Sequence, residues 1–353
     1  MSFFDEIKTK IINFGLNFVT VDEKIVRGIL DTFPRNIKNI VILPAVSYVA
    51  KKVISELQHK TKEGRVYNGL LNGVEVSVIR TEMGGPSAAV VMECLKRAHS
   101  KIAIRIDYCG ALQSTFNINV LEKMSNLYLS RDIKRTYINS DDLIFTNLEI
   151  GDIIIPKTCI LSDGACFQYL QTYKNEVLYS QEFRKYISLS KFKEYSATSS
   201  IRGSDGSLII DVKNNCMDYP EFKEHYWSVD SDFDLYNIIN SEMSKLFPSQ
   251  VRKIKEDRLF SVDALFCQPQ EAINTWKIYA TNCVDMESAV IYMLGKLFFI
   301  KTASILSISD FPDSEKYNFQ KSNEIHPKFF KGLDNALKIL KESLPEISNK
   351  LIK

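Results

Sequence analysis

Short apolar runs that alternate with helix-like stretches constrain the fold of this chain more than any other feature. Residues 39–43 form an apolar run that ends at Pro44, and residues 45–58 then have the spacing of an amphipathic helix. Two more apolar runs, at 74–79 and 102–106, flank a glycine turn at 81–87 and a predicted helix through Arg97. Buried parallel strands have this continuous apolar character, and helices usually connect them. The pattern predicts an α/β sandwich.

The same alternation continues towards the end of the chain. It predicts strands at 152–156, 259–264 and 300–308, and helices at 232–246, 288–297 and 327–344. Two polar stretches break the rhythm, at 115–148 and 172–218, and they are interpreted as insertions. Residues 1–37 are predicted to be an amphipathic N-terminal extension that covers a core or a partner. The expected organisation is one domain over 38–345 with two insertions.

Charge and cysteine content exclude several classes of protein. The 45 Lys and Arg residues nearly balance 43 Asp and Glu, which predicts binding to neither nucleic acid nor a membrane surface. The seven cysteines have no metal-ligand or disulfide spacing, so no metal site is expected. The N-terminus has no apolar leader, and the apolar stretch at 289–300 is interrupted by Lys296. A cytoplasmic protein is the expectation.

Three acidic residues near the C-terminal third are candidate functional groups. Asp285 and Glu287 flank Met286 immediately before a predicted helix, and Asp310 follows a predicted strand. Carboxyl ends of strands are where α/β sheets bind ligands. Acids at these positions also complement a helix dipole, with Ser288 as a helix cap. The spacing alone leaves both interpretations open.

Five sequence blocks together carry a family resemblance. They are Ile42-Leu-Pro44; Met83-Gly-Gly-Pro-Ser87; Arg105-Ile-Asp-Tyr-Cys-Gly-Ala-Leu-Gln113; Gly151-Asp-Ile-Ile-Ile155 with Asp163-Gly-Ala-Cys-Phe-Gln-Tyr169; and Asp285-Met-Glu-Ser-Ala289 with Ser309-Asp310. Each block is short, but their order and spacing are specific in combination. Over roughly 38–345, outside the insertions, the chain resembles the nucleoside phosphorylase superfamily. This superfamily includes uridine phosphorylases, purine nucleoside phosphorylases and methylthioadenosine nucleosidases.

The resemblance implies both a fold and a set of partners. The implied fold is a single-domain, three-layer α/β/α sandwich around a mixed, partly barrel-like sheet. The implied assembly is a homo-oligomer, from dimer to hexamer; separately from the resemblance, the insertions are candidate contacts for a protein partner. The implied ligands are a nucleoside and phosphate, with phosphate as co-substrate and no cofactor.

The resemblance also assigns roles in the half of the site that holds the nucleoside. Glu287 would bind the ribose hydroxyls, and Met286 would pack on the sugar. Asp310 occupies the position of an aspartate that protonates the leaving base in purine-acting members, which favours a purine nucleoside. For the base, the segment 262–270 retains Phe266 and offers Gln268 and Gln270, but it lacks the glutamine and arginine pair of uridine phosphorylases.

The phosphate half of the site departs from the family. The glycine-rich turn that cradles phosphate is replaced by Ala45-Val-Ser-Tyr-Val49. Arg105 is retained, but Asp107 and Tyr108 replace the family's glycine and threonine, and an aspartate there would repel phosphate. The phosphate-binding candidates are therefore Arg105, Tyr108 and, from a neighbouring subunit, Lys62. The neighbour's histidine for the ribose 5′ end aligns with Asn13.

Three functions follow from this mixed site. The first is cleavage of a purine nucleoside with transfer of ribose to phosphate through a rebuilt anion site. The second is hydrolysis, although the glutamate that activates water in hydrolytic members has no counterpart at 45–52. The third is a catalytically inactive member that acts as a structural or assembly subunit. The sequence leaves these alternatives open.

Overall fold

A mixed β-sheet with helices on both faces forms the core of the chain. The structure, a computed structural model, describes residues 5–7, 9–10, 19–116, 143–145, 147–173, 187–188, 200–202, 208–210, 227–251, 258–269, 272–273, 276–277, 281–321 and 323–352. Most of the predicted insertions and the first part of the N-terminal extension lie outside these residues. No described helix is both long and apolar enough to cross a membrane.

The secondary structure elements alternate along the chain as predicted. The strands are β1 (Ile40–Leu43), β2 (Gln58–Glu63), β3 (Val66–Leu71), β4 (Val74–Ile79), β5 (Ile102–Ala111), β6 (Ser114–Phe116), β7 (Leu143–Phe145), β8 (Ile153–Ile154), β9 (Thr158–Leu161), β10 (Ile187–Ser188), β11 (Ser200–Arg202), β12 (Leu208–Ile210), β13 (Trp227–Asp230), β14 (Arg258–Ser261), β15 (Cys283–Asp285) and β16 (Lys301–Asp310). The helices are α1 (Val21–Leu30), α2 (Ser47–Ser55), α3 (Gly85–Arg97), α4 (Gly164–Thr172), α5 (Phe233–Leu246), α6 (Pro248–Val251), α7 (Ser288–Phe298) and α8 (Lys328–Leu351). A 3₁₀ turn covers Pro34–Asn36.

The two faces of the sheet bury separate apolar clusters, which makes the fold a three-layer sandwich. Val41 and Leu43 pack on one face with α1, α3, α4 and α7. Ile40 and Ile42 pack on the other face with α2, α5 and α8. Successive side chains of a strand point to opposite faces, so an apolar run without polar breaks is needed when both faces are covered. This confirms the predicted α/β sandwich.

The sheet branches at β5. Strand β16 runs parallel to β5 over nearly all of its length, β1 pairs with β5 from Ile102 to Arg105, and β15 pairs only with Gly110 and Ala111. A gap between β1 and β15 therefore lies along β5, from Arg105, where the pairing with β1 ends, to Gly110, where the pairing with β15 begins. The main sheet runs in the order β10-β13-β9-β14-β15-β5-β1-β4-β3-β2, and its outer described strands, β10 and β2, do not pair. Among the described strands the sheet is thus open, with β16 and β8 as a branch from β5, and the predicted barrel-like closure is not seen.

Several elements differ from the predicted ones. The predicted helix at 45–58 covers only Ser47–Ser55, and Gln58 already belongs to β2. The β2–β3 hairpin was not predicted, because every residue of β2 is exposed and its sequence, Gln-His-Lys-Thr-Lys-Glu, has no apolar alternation. The strand predicted at 152–156 is only Ile153–Ile154. Strand β5, by contrast, extends five residues beyond the predicted end at Ile106, as far as Ala111.

Helix α8 lies unusually close to the sheet at Gly332. A Cβ atom at this position would lie 2.1 Å from Ser307 Oγ and 2.6 Å from Gly151 Cα. We expect Gly332→Ala to destabilise the protein by about 1–3 kcal/mol, because the extra methyl group forces the helix away from the sheet. Chemical denaturation measures the change.

The matched control for Gly332 is Gly28→Ala in helix α1. A Cβ atom there meets nothing within 4 Å. Alanine restricts the unfolded chain and favours a helix, so this change should stabilise by about 0.5–1 kcal/mol. Equal stabilities of the two variants would contradict the close approach at Gly332.

Candidate active site

A buried arginine surrounded by three carboxylates lies at the branch of the sheet. Arg105 Nη2 lies 2.5 Å from Glu287 Oε2, and Arg105 Nε lies 3.1 Å from Asp285 Oδ2. Arg105 Nη1 is 3.5 Å from Asp107 Oδ2. All four side chains are at least nine-tenths buried. One positive charge therefore faces three acidic groups, and the cluster as a whole favours cations over additional anions.

The topology of the sheet explains why these residues meet. Arg105 and Asp107 point to the same face of β5, with Arg105 opposite Leu43 at the end of β1. Asp285 is the last residue of β15, and Glu287 lies two residues later, before α7. Strands that leave a sheet in different directions create a crevice at their carboxyl ends, where α/β proteins bind ligands.

Asp285 has a structural role in addition to its contact with Arg105. Its Oδ2 accepts hydrogen bonds from the Ser288 backbone N–H (3.0 Å) and hydroxyl (2.6 Å), and its Oδ1 accepts one from the Ser261 hydroxyl (2.6 Å). Ser261 Oγ in turn accepts from the Ala289 N–H. These bonds satisfy the first N–H groups of α7. The capping interpretation thus holds for Asp285, while Ser288 is the first helical residue and not the cap.

Glu287 does not cap the helix and is directed towards the glycine turn before α3. Its Oε1 accepts a 2.7 Å hydrogen bond from the Gly84 N–H. Gly84 has a φ of 99°, which is accessible to glycine and strained for other residues. Burial raises the pKa of Glu287 to about 7, since the loss of hydration and the neighbouring Asp285 and Asp107 outweigh the attraction of Arg105.

Asp107 lies between Arg105 and the turn that joins β1 to α2. Its Oδ2 accepts hydrogen bonds from the Ala45 N–H (2.5 Å) and the Val46 N–H (3.1 Å), and its Oδ1 accepts from its neighbour Tyr108 N–H (2.9 Å). Residue 45 is the first of the five that replace the glycine-rich turn. The backbone donors of that turn are therefore directed at a carboxylate of the same chain.

A second acidic group, Asp310, is the last residue of β16 and contacts a segment with exposed aromatic rings. Asp310 pairs with Gly110 across the strands, accepts 2.7 Å from the Ser309 hydroxyl and 3.3 Å from the Phe319 N–H. Burial raises the pKa of Asp310 above its ordinary value, against the effect of these two hydrogen bonds. Phe266 and Phe319, with ring centroids 6.4 Å apart, are 73% and 59% exposed. Large apolar rings exposed beside a polar group are typical of a ligand-binding surface.

The structure separates some of the other predicted site residues from this crevice. Tyr108 points to the opposite face of β5 from Arg105, and its ring stacks on Phe329 at 4.2 Å. Lys62 lies on the outer strand β2, exposed, with its ammonium group over the Tyr67 ring. Within one chain, neither residue joins the Arg105 cluster.

Two of the remaining predicted residues are described, and two are not. Met286 lies half-buried between Asp285 and Glu287, and Gln268 is half-buried in the segment after Phe266. Asn13 and Gln270 lie outside the described residues.

Sequence reasoning missed two contributions to the site. Phe319 lies nine residues after Asp310, and only its contacts with Phe266 and Asp310 show that it lies beside the candidate acid. The Gly84 N–H that holds Glu287 comes from a residue 203 positions away. A backbone donor has no sequence signature, although the Gly-Gly-Pro turn signals that the chain adopts an unusual conformation there.

The arrangement has two chemical capacities. A carboxyl group with a raised pKa, Asp310, can donate a proton to a leaving group beside an aromatic surface. A buried carboxylate, Glu287, can accept hydrogen bonds from hydroxyl groups and stabilise positive charge that develops on a sugar. Both capacities serve glycosidic bond cleavage.

Comparison with known proteins gives a family for this chain. The model of the phosphorylase superfamily matches residues 39–122 and 144–345. Among relatives, uridine phosphorylase from Thermococcus kodakarensis is 27% identical over 110 residues, which are 31% of this chain and 28% of that protein. Guanosine phosphorylase from Halorubrum lacusprofundi is 33% identical over 64 residues, 18% of this chain and 27% of that protein. The alignments thus span under a third of the length of each relative.

Solved structures share the fold over most of the chain. Uridine phosphorylase from Vibrio fischeri ES114 aligns with a TM-score of 0.52 and 14% identity, over 89% of this chain and 93% of that one. The P. knowlesi homolog of P. falciparum PNP aligns with a TM-score of 0.55 and 16% identity, over 91% of this chain and 93% of that one. Purine nucleoside phosphorylase from Toxoplasma gondii, in complex with immucillin-H, aligns with a TM-score of 0.54 and 13% identity, over 91% of this chain and 96% of that one. Because the family model matches most of the length of this chain, the chain belongs to the phosphorylase superfamily, as a divergent nucleoside phosphorylase-like member.

Proposed function

We propose that the protein binds a purine nucleoside and cleaves its N-glycosidic bond. The observation that carries the proposal is the position of Asp310, a half-buried acid with a raised pKa that accepts a hydrogen bond from the N–H of Phe319, whose exposed ring lies near that of Phe266. A purine is a poor leaving group as an anion and departs readily once it is protonated. An acid next to an aromatic surface matches a flat base that must be both stacked and protonated.

The ribose is assigned to Glu287 and Met286. Glu287 would exchange its bond to the Gly84 N–H or to Arg105 for bonds to the ribose hydroxyls, and Met286 would pack on the sugar. As the glycosidic bond breaks, positive charge develops on the sugar and strengthens hydrogen bonds to a nearby carboxylate. Burial supports this role because the low dielectric around Glu287 increases the effect of its charge.

The remaining assignments complete the proposed site. Gln268 and Gln270 are the candidates for polar contacts to the base. Asn13 at the ribose 5′ end and Lys62 would come from a neighbouring subunit, so the proposal includes a homo-oligomer. The exposure of Lys62 on the outer strand β2 is compatible with a contact to a second chain.

The role of Asp310 predicts a difference between two classes of substrate. We expect Asp310→Asn to slow release of free base from inosine, adenosine and guanosine by about 10²–10⁴-fold, because the general acid is lost. The same variant should cleave p-nitrophenyl riboside at nearly the wild-type rate, since p-nitrophenolate leaves without a proton. Chromatography of the released base and absorbance of p-nitrophenolate measure the two rates.

The asparagine variant keeps the shape of the side chain and can still accept from the Phe319 N–H. Loss of both activities to the same extent would therefore argue against Asp310 as the acid and in favour of a structural role. The pH profile provides a further criterion. Because Asp310 acts in its protonated form, its contribution should decline as the pH rises through its raised pKa, and the variant should lack that decline.

A second candidate function, an inactive structural or assembly subunit, is favoured by the enclosure of Glu287. Both of its carboxylate oxygens already have partners, Gly84 and Arg105, and only 3% of the residue is exposed. No base released from any purine or pyrimidine nucleoside by the wild-type protein, with and without phosphate, would support this candidate over the first.

A further inference from the structure

The turn between β1 and α2 has the features of an anion-binding site. The Ala45 and Val46 N–H groups converge at the N-terminus of α2, where the helix dipole favours negative charge. Both N–H groups donate to Asp107 Oδ2, and the guanidinium of Arg105 contacts the same oxygen atom. Two backbone donors and one buried cation around a single point are sufficient to hold a small oxyanion.

The occupant of this site is a side chain of the protein itself. Asp107 Oδ2 accepts from both backbone N–H groups and contacts Arg105, and Asp107 is fully buried. A carboxylate attached to the chain loses no translational freedom when it binds, so a free anion competes with it at a disadvantage. To displace it, an anion would have to leave Asp107 buried without its partners, which is unfavourable.

The surrounding charges also oppose the binding of a free anion at this turn. Arg105 is already shared with Asp285 and Glu287. Arg80, which donates through Nε to the Ala45 carbonyl, is paired with Glu82 at 2.5 Å. A doubly charged anion entering beside Asp107 would therefore face a net negative cluster in a low dielectric.

We propose that Asp107 is an internal substitute for a free oxyanion and determines the acceptor of the reaction by keeping inorganic phosphate out of the site. The part of this inference that concerns the acceptor of the reaction rests on the proposed function. Cleavage then uses water: the bond from C1′ to the base nitrogen breaks with its electron pair on the base, which takes a proton from Asp310. A water oxygen forms the new bond to C1′ and releases a proton to solvent, and Asp310 regains a proton from solvent.

Titration calorimetry with inorganic phosphate tests the inference directly. The wild-type protein should show no phosphate binding, and Asp107→Gly should bind phosphate in the vacated site. If Asp107→Gly does not fold, Asp107→Ser leaves the two backbone N–H groups open with a smaller change. Asp234→Ser, at an exposed aspartate of α5, is the control for loss of one negative charge and should show no binding.

Two calorimetric results would overturn the inference. One is phosphate binding by the wild-type protein, and the other is a folded Asp107 variant that binds no phosphate. Release of base by the wild type should also be the same with and without phosphate, and a phosphate requirement would overturn the inference as well. If no nucleoside is cleaved at all, the proposed function fails, while the calorimetric result still decides the role of Asp107.

Discussion

Replacement of Arg105 by methionine is expected to destabilise the protein by about 3–5 kcal/mol, which is the usual cost of removing one partner from a buried ion pair. Three carboxylates, those of Asp107, Asp285 and Glu287, would remain buried with their hydrogen bonds but without their shared positive charge. Their mutual repulsion in a poorly hydrated site is the physical reason for the large effect. Denaturant unfolding followed by circular dichroism measures the loss.

The matched control is Arg65→Met. Arg65 lies 3.6 Å from Glu82 at the surface, where ion pairs contribute at most about 1 kcal/mol. Arg105→Lys should fall between the two, because lysine keeps the charge but not the planar fork that reaches three carboxylates. An Arg105→Met protein as stable as Arg65→Met would show that the carboxylates do not depend on Arg105.

Replacement of Glu287 by glutamine is expected to lower the rate of base release by about 10²–10³-fold, the usual effect of removing one preorganised electrostatic group. Glutamine retains an oxygen for the Gly84 N–H but carries no charge to stabilise the sugar as it becomes positive. Glu346→Gln, at an exposed glutamate of α8 paired with Lys350, should leave the rate unchanged. An unchanged rate in Glu287→Gln would remove Glu287 from the proposed mechanism.

The same variant tests the ionisation of Glu287 without any substrate. Because its pKa is raised from 4.5 to about 7, the folded protein binds a proton that the unfolded chain releases between these values. The stability that this proton contributes is present below pH 4.5 and is lost as the pH rises through about 7. Glu287→Gln should lack this loss, so the wild type should decline more steeply than the variant over that interval. Parallel curves would contradict the raised pKa.

Local sequence patterns were sufficient to predict strands β1, β4, β5, β8, β14 and β16 and helices α2, α3, α5, α7 and α8, but not β9, β13 or β15. Strand β4 has the predicted bounds, 74–79, and helices α5, α7 and α8 begin within one residue of their predicted starts. These elements follow from the spacing of apolar residues over a few turns or strand positions, which is a local property of the chain. The exposed strand β2 lacks that spacing, so only its pairing with β3, which in turn pairs with β4, reveals it.

For the site, the sequence by itself determined which acids and which arginine were available, and the five blocks determined the family. Only the tertiary structure decided what each acid does. Asp285 caps α7, Glu287 reaches the Gly84 N–H, and Asp107 fills the turn at Ala45, 62 residues away. The reason is physical: hydrogen bonds to backbone N–H groups and the sharing of one buried charge depend on distances between remote segments, and no local spacing encodes them.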